Sequence, residues 1–244
     1  MDSQSISSLF LSVVIPVFNE EENLQLLTIE LIKVLRALNK TWEIIFVDDG
    51  STDGSFRALK ELQELFPHIR VIKFRKNCGQ TGAFDAGFTA AQGEVIITMD
   101  SDLQNDPYDI PNLLDKIGDY DAVCGWRHKR NDSLIRRISS RIANSVRNRL
   151  SGETIKDVGC SLKAFRSDYL KRLTLYNGMH RFFPTLIKMV GGKVIEVKVN
   201  HRPREYGSSK YNIRNRILRS FIDLLAVRWM KNRRLAYEIE EDNT

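Results

Sequence analysis

Asp100 and Asp102 stand one residue apart, with an amide two residues further on at Gln104. Carboxylate and amide oxygens are hard donors, suited to Mg2+ or Mn2+ rather than to the metals that thiolates select. A cation held by so few protein groups needs further ligands, and diphosphate oxygens are the usual donors. An isolated Asp-x-Asp also occurs by chance in solvated turns. Two more polar stretches make chance a poor explanation here. Asn19-Glu20 follows the apolar run ending in Pro16-Val17-Phe18, and Asp48-Asp49-Gly50-Ser51-Thr52-Asp53 follows another.

These groups need elements to position them. Val95-Ile96-Ile97-Thr98-Met99 is β-branched and apolar, the pattern of a strand buried on both faces. Carboxylates are rarely fully buried without a partner, so Asp100 and Asp102 belong just beyond its end. Residues 11–17, 42–47 and 70–74 read as further buried strands. Between them, Leu24, Leu27, Leu31, Val34, Leu35 and Leu38 recur at helical spacing, with Asn19 as the expected N-cap and acids 20–22 at the positive helix end. Helices are also expected over 54–66 and from the Asn77-Cys78-Gly79-Gln80 stretch to residue 91. Strands alternating with helices give βαβ units, a parallel sheet and right-handed crossovers, hence an α/β fold. Ligands bind at the carboxyl ends of such strands, and all three polar stretches converge there.

The second half is more basic. A short helix is expected over 107–118 and a strand over 121–126. Arg127, Lys129, Arg130, Arg136, Arg137, Arg141, Arg147 and Arg149 then interleave with Leu134, Ile135, Ile138, Ile142, Val146 and Leu150. This is a basic amphipathic helix, fit either for a membrane surface or for packing with a solvated basic face. A loop into a strand is expected over 157–166, helices over 168–173 and 181–190, and a late strand over 193–200. Residues 201–211 combine Arg202, Arg204, Lys210, serines and Gly207 in a loop able to wrap phosphate oxygens. A last helix, 213–232, mixes apolar residues with arginines and carries Trp229, a residue suited to headgroup depth. An acidic tail follows from Glu238.

At 244 residues the chain fits one domain with a small appendage, and its net charge of +6 suits an anionic partner. Cys78, Cys124 and Cys160 are odd in number and form no C-x-x-C pair, which argues for reduced thiols, a cytosolic setting and no zinc site. Each is expected to be a small buried hydrophobe. Residues 1–8 lack a leader's basic start, and no run of 18 apolar residues occurs. His68, His128, His180 and His201 lie in structural or basic contexts, so no general base stands out.

Taken in order, Pro16-Val17-Phe18-Asn19-Glu20, Val47-Asp48-Asp49-Gly50-Ser51-Thr52-Asp53, Asp100-Ser101-Asp102-Leu103-Gln104 and Arg202-Pro203-Arg204-Glu205-Tyr206-Gly207-Ser208-Ser209-Lys210-Tyr211 resemble the motifs of family 2 glycosyltransferases. The likeness is greatest to the branch of dolichyl-phosphate mannose synthase and the bacterial undecaprenyl-phosphate glycosyltransferases. It runs over residues 9–230 and implies a GT-A catalytic domain over 1–212, followed by an amphipathic helix and acidic tail over 213–244. The implied reaction is inverting sugar transfer from a UDP- or GDP-sugar to a polyprenyl phosphate. The resemblance assigns Pro16, Phe18, Asn19, Glu20, Asp48, Asp49 and Ser209 to the nucleotide, and Asp100, Asp102 and Gln104 to Mg2+ or Mn2+. Arg127, Arg137, Arg202 and Lys210 would hold the acceptor phosphate and the leaving diphosphate, with Arg136 the neighbouring candidate for Arg137.

Two departures matter. Many bacterial relatives carry paired C-terminal membrane helices, and a single amphipathic segment stands in that place here. Attachment is therefore expected to be peripheral, on the cytoplasmic face of the cell membrane, or supplied by a separate membrane protein. Gly159-Cys160-Ser161 stands where mannose synthases have Ser-Gly-Phe, which leaves the sugar open. Other classes fit less well. A hydroxyl acceptor would need a base such as Asp157. A nucleotidyltransferase would need a Gly-rich basic loop where Pro16-Val17-Phe18-Asn19-Glu20 stands. Three acidic loops on one edge would repel nucleic acid.

Overall fold

A computed structural model describes residues 9–127, 155–203 and 213–235, with side chains of 213–220 excepted. The first half alternates as the apolar runs require: β1 (Leu11–Val17), α1 (Glu21–Ala37), β2 (Trp42–Asp48), α2 (Ser55–Leu65), β3 (Ile69–Lys73), α3 (Gln80–Ala90) and β4 (Val95–Thr98). A 3-10 turn (Pro107–Asp109) leads into α4 (Ile110–Leu114) and β5 (Ala122–Arg127). Beyond residue 154 come β6 (Lys163–Arg166), α5 (Ser167–Leu170), a 3-10 turn (Met179–Phe182), α6 (Phe183–Met189), β7 (Val194–Val199) and α7 (Ile213–Arg233).

The seven strands among the described residues make one sheet, ordered β3-β2-β1-β4-β6-β5-β7. β1, β2, β3 and β4 are mutually parallel where they pair, whereas β6 runs antiparallel to both β4 and β5. β5 therefore points the same way as β4, and β7 is parallel to β5. The reversal at β6 is a finding that the alternating pattern does not anticipate.

Successive side chains of a strand serve opposite faces, and both faces are covered. Leu11, Val13, Ile15 and Val17 pack with Ile44, Phe46, and Leu24, Leu27, Leu31 and Leu35 of α1. Val14, Ile45, Val47 and Ile96 face Ala83, Phe84 and Phe88 of α3 instead. Helix α3 lies hard against β1, since a Cβ at Gly87 would sit 2.2 Å from Val14 Cγ1. Phe84, Phe88, Phe165 and Phe183 extend this second core through ring contacts of 5.4–5.8 Å. Leu224 and Val227 dock α7 on it.

Several boundaries differ from the sequence pattern for local reasons. The helix expected over 107–118 is broken: Pro107 and Pro111 each remove an N–H, and a 3-10 turn plus five helical residues result. The Asp106 carboxylate caps it by accepting from Tyr108 N at 3.1 Å. The helix expected over 168–173 closes after four residues. The basic helix expected over 127–150, the loop 204–211 and the acidic tail lie outside the described residues, apart from Arg127.

At the amino edge, buried Glu43 ties three segments together. It accepts from Ser12 Oγ at 2.6 Å, Gln92 N at 2.9 Å and Arg70 Nη1 at 2.8 Å. Glu43→Ala leaves these donors without their acceptor and is expected to lower unfolding free energy by about 2–4 kcal/mol, measured by urea denaturation. A change below 0.5 kcal/mol would show that the network contributes little.

Candidate active site

Strands β2, β1 and β4 are neighbours and parallel, so their carboxyl ends open on one edge. The loops after β1 and β2 are laced together. Asn19 N donates to Ser51 Oγ at 2.9 Å, Asn19 Oδ1 accepts from Thr52 N at 2.7 Å, and Glu20 N donates to Ser55 Oγ at 2.9 Å. This corrects the expected N-cap. Asn19 holds a left-handed φ of 56°, and its side chain serves the neighbouring loop. Glu20 takes the cap position without a side-chain cap and accepts from Asn23 Nδ2 at 2.6 Å.

Asp48 closes β2 in full burial. Its Oδ1 accepts from Ser51 N at 3.0 Å, while its Oδ2 has no hydrogen-bond partner among the described residues. A buried carboxylate oxygen without a donor is costly, and an N–H of a bound base would satisfy it. Asp49 is braced by the loop after β3: Cys78 N donates to Oδ1 at 2.6 Å and Gly79 N to Oδ2 at 2.9 Å. Burial raises its pKa, the two N–H groups oppose that, and the Asp48 charge adds to it. The loops fit closely because residue 50 is glycine, where a Cβ would meet the Lys76 carbonyl carbon at 2.6 Å with φ at +71°.

Asp100 and Asp102 lie just past β4, as expected. Asp100 Oδ1 accepts from Gln80 Nε2 at 2.7 Å, and Asp100 N donates to Asn105 Oδ1 at 3.0 Å. Ser161 Oγ donates to the same Asn105 oxygen at 2.7 Å. Burial pushes the Asp100 pKa up to about 6, reinforced by the Asp102 charge and opposed by a Ser161 hydrogen bond, Lys163 and Arg127. Asp102 is 7% exposed, and its Oδ1 accepts from Gln104 N at 3.2 Å across a turn in which Leu103 has φ of 61°. Among the described residues no three His, Cys, Asp or Glu side chains converge as a metal cage. The donor set fits a hard divalent cation all the same. Two adjacent acids, with the Asp102 charge disfavouring the ionisation of Asp100, are what such a cation with further outside ligands would relieve.

Arg127 ends β5 and forms a two-pronged pair with Asp157, Nε at 2.7 Å and Nη2 at 2.9 Å. Burial disfavours its charge, but the Asp157 carboxylate outweighs this and raises the pKa. Glu196 of β7 fixes the Asp157 segment by accepting from Lys156 N and Asp157 N. Arg202 donates through Nη1 to Glu30 and through Nη2 to Asp106, each at 2.7 Å, and its N donates to Gln104 O at 3.0 Å. Pro16 sits half-buried within β1, with Phe18 just beyond it. Arg137, Ser209 and Lys210 lie outside the described residues, as does Arg136.

Four contributors escape sequence reading: Gln80, Asn105, Ser161 and Lys163. Gln80 opens a run of small residues that reads as plain helix. Lys163 alternates into a strand yet is buried, with Nζ donating to Cys160 O. The thiols also split. Cys124 and Cys160 are buried, and burial raises both pKa values, that of Cys124 to about 12. Cys78 corrects the expectation: its thiol is exposed, and its backbone N–H holds Asp49.

Comparison with known proteins supplies the lineage. The family model described as Glycosyl transferase family 2 matches residues 12–174. Dodecaprenyl-phosphate galacturonate synthase of Rhizobium johnstonii is 40% identical over 228 residues, covering 91% of this chain and 67% of its own. Undecaprenyl-phosphate 4-deoxy-4-formamido-L-arabinose transferase of Pectobacterium carotovorum subsp. carotovorum is 41% identical over 203 residues, covering 82% and 62%. The chain thus spans about two thirds of the length of these relatives. In fold it is similar to a Pyrobaculum calidifontis mannosyltransferase in complex with GDP-Man and Mn2+, with TM-score 0.63, 19% identity and coverage of 88% and 63%. It is similar also to Mycobacterium tuberculosis glucosyl-3-phosphoglycerate synthase in complex with Mn2+, UDP and glucosyl-3-phosphoglycerate, with TM-score 0.66, 17% identity and coverage of 91% and 80%. These structures support the GT-A architecture, and the matched segment runs from β1 past β6, so the chain belongs to glycosyl transferase family 2.

Proposed function

We propose that this protein transfers a sugar from a nucleotide-diphosphate sugar to a polyprenyl phosphate, with inversion at the sugar carbon. The observation that carries the proposal is the Asp100–Asp102 pair just past β4, at the strand edge shared with Asp48 and Asp49. On this reading Pro16, Phe18, Asn19, Glu20, Asp48 and Asp49 receive the nucleoside, with Ser209 contributing to the nucleotide. Asp100, Asp102 and Gln104 would hold Mg2+ or Mn2+. Such a cation supplies charge neutralisation of the leaving diphosphate. The names of the two relatives, both polyprenyl-phosphate enzymes, support the acceptor class.

The protein's own groups fit this chemistry. An acceptor phosphate oxygen attacks the sugar carbon, the bond to the diphosphate breaks, and the nucleoside diphosphate leaves with the electron pair. A phosphate is already an anion, so no strong base is required. Asp157, the candidate base for a hydroxyl acceptor, is committed to Arg127. Arg127 and Arg202 are ordered in advance by their carboxylates, and an ion pair through two N–H groups leaves a guanidinium further donors for phosphate. Arg137 and Lys210 complete the proposed cationic set.

Contact with the membrane is proposed through α7, peripherally and at the cytoplasmic face. No helix among the described residues is long and apolar enough to cross a bilayer. Phe221, Ile222, Leu225 and Trp229 are exposed at 45%, 57%, 44% and 65%, on the side opposite buried Leu224 and Val227. Arg228, Lys231 and Arg233 flank them. Replacing those three cations with serine is expected to weaken binding to anionic liposomes by about 1 kcal/mol each. Unchanged co-sedimentation would reject α7 as the contact.

The test of the reaction is a transfer assay with undecaprenyl or dolichyl phosphate, Mg2+ or Mn2+, and radiolabelled UDP- and GDP-sugars. Metal-dependent label in the lipid phase is the expected result. Label absent from lipid, with slow hydrolysis of the sugar nucleotide, would move the acceptor to a hydroxyl.

A further inference from the structure

We infer that Gln80 is a positioning residue that sets the orientation of the Asp100 carboxylate and ties it to the loop bracing Asp49. This rests on the reading of Asp100 as a cation ligand. The connection is made by consecutive residues. Cys78 N and Gly79 N donate to the two oxygens of Asp49, and the next side chain, Gln80, donates through Nε2 to Asp100 Oδ1 at 2.7 Å. Asn77 adds a fourth tie, Nδ2 to Asp49 O at 3.2 Å. Four residues in a row thus span from the end of β2 to the end of β4.

The chemistry of the amide makes the contact directional. An ionised carboxylate only accepts, so the amide must present its NH2 group, and Asp100 Oδ1 is turned toward α3. Gln80 brings no charge, so it cannot replace a cation in offsetting the two acids. It restricts the Asp100 rotamer instead, by committing Oδ1 to the amide. Hydrogen-bond partners of ligating carboxylates orient the ligand, and their loss commonly weakens metal binding 10–100-fold. Gln80 begins the eleven-residue helix α3, whose Gly87 is wedged against Val14, so its backbone is fixed from behind.

The experiment is Mn2+ titration followed by electron paramagnetic resonance, with UDP and, in a parallel series, GDP present. Wild type, Gln80→Ala, Gln80→Met and Asp102→Ala are compared, with melting curves to establish that each is folded. Methionine keeps the length of the side chain and removes the donor. Both Gln80 variants are expected to bind Mn2+ about 10–100-fold more weakly than wild type. In transfer assays their kcat at saturating Mn2+ should recover more than their Mn2+ requirement does, the split that a positioning role predicts. Mn2+ affinity within twofold of wild type in both Gln80 variants would overturn the inference while leaving the cation reading intact. Equal Mn2+ binding by wild type and Asp102→Ala would overturn the cation reading itself.

Discussion

Asp102→Ala should lower sugar transfer by about 10²–10³-fold while the protein remains folded. The reasoning starts from where the residue sits. Asp102 lies past the end of β4 in a turn, outside both hydrophobic cores, and its Oδ1 accepts from Gln104 N at 3.2 Å. Losing that bond costs about 1 kcal/mol. Losing its charge removes a repulsion from Asp100, which offsets the cost. Both hydrophobic cores are left intact, whereas the cation loses one of its two carboxylates. Asp102→Asn separates shape from charge, because it keeps the turn and removes only the anion. Rates at saturating donor and Mn2+, beside melting curves, give the answer. Normal turnover in Asp102→Ala would remove the carboxylate pair from the mechanism.

The second large effect is on pH dependence. Asp100 has a folded pKa of about 6 against an ordinary 3.8, so the folded protein holds this proton more tightly than the unfolded chain does. The stability linked to that proton is fully present below pH 3.8 and lost as pH rises through about 6. It amounts to about 3 kcal/mol for the metal-free protein. Other carboxylates titrate nearby, so the quantity to measure is the difference between wild type and Asp100→Asn in urea unfolding with a chelator, from pH 4 to 7.5. The variant should gain on wild type across that window. Added Mn2+ should reverse the trend, since a cation competes with the proton and stabilises the folded protein mainly above pH 6. Parallel curves for the two proteins would refute the assigned shift.

Much of this is legible in the sequence, and the omissions share a cause. The strands β1, β2 and β4 announce themselves because burial on both faces demands unbroken β-branched runs. The acids that follow are legible because few other residues end a buried strand so abruptly. What one-dimensional spacing does not carry is the partner. Asn19 looks like an N-cap because a short polar residue precedes acids and leucines, yet the nearby Ser51-Thr52 segment competes for the same side chain and wins. Arg202 reads as a phosphate ligand, and only the fold reveals Glu30, 172 residues away, at its side. The direction of β6 is invisible because four residues in either sense pack alike. Gln80 is silent for the same reason as Arg202: its partner is twenty residues on.

The reversal at β6 has an evolutionary corollary. Since β5 ends and β6 begins at the same sheet edge, the chain between Arg127 and Lys163 departs from and returns to the rim that carries the acids. The stretch after Val199 leaves from that rim as well. The described ends of both stretches therefore open on one rim. A change of length or sequence between these strand ends need alter no strand register, so the two stretches are free to vary while the paired strands keep their places.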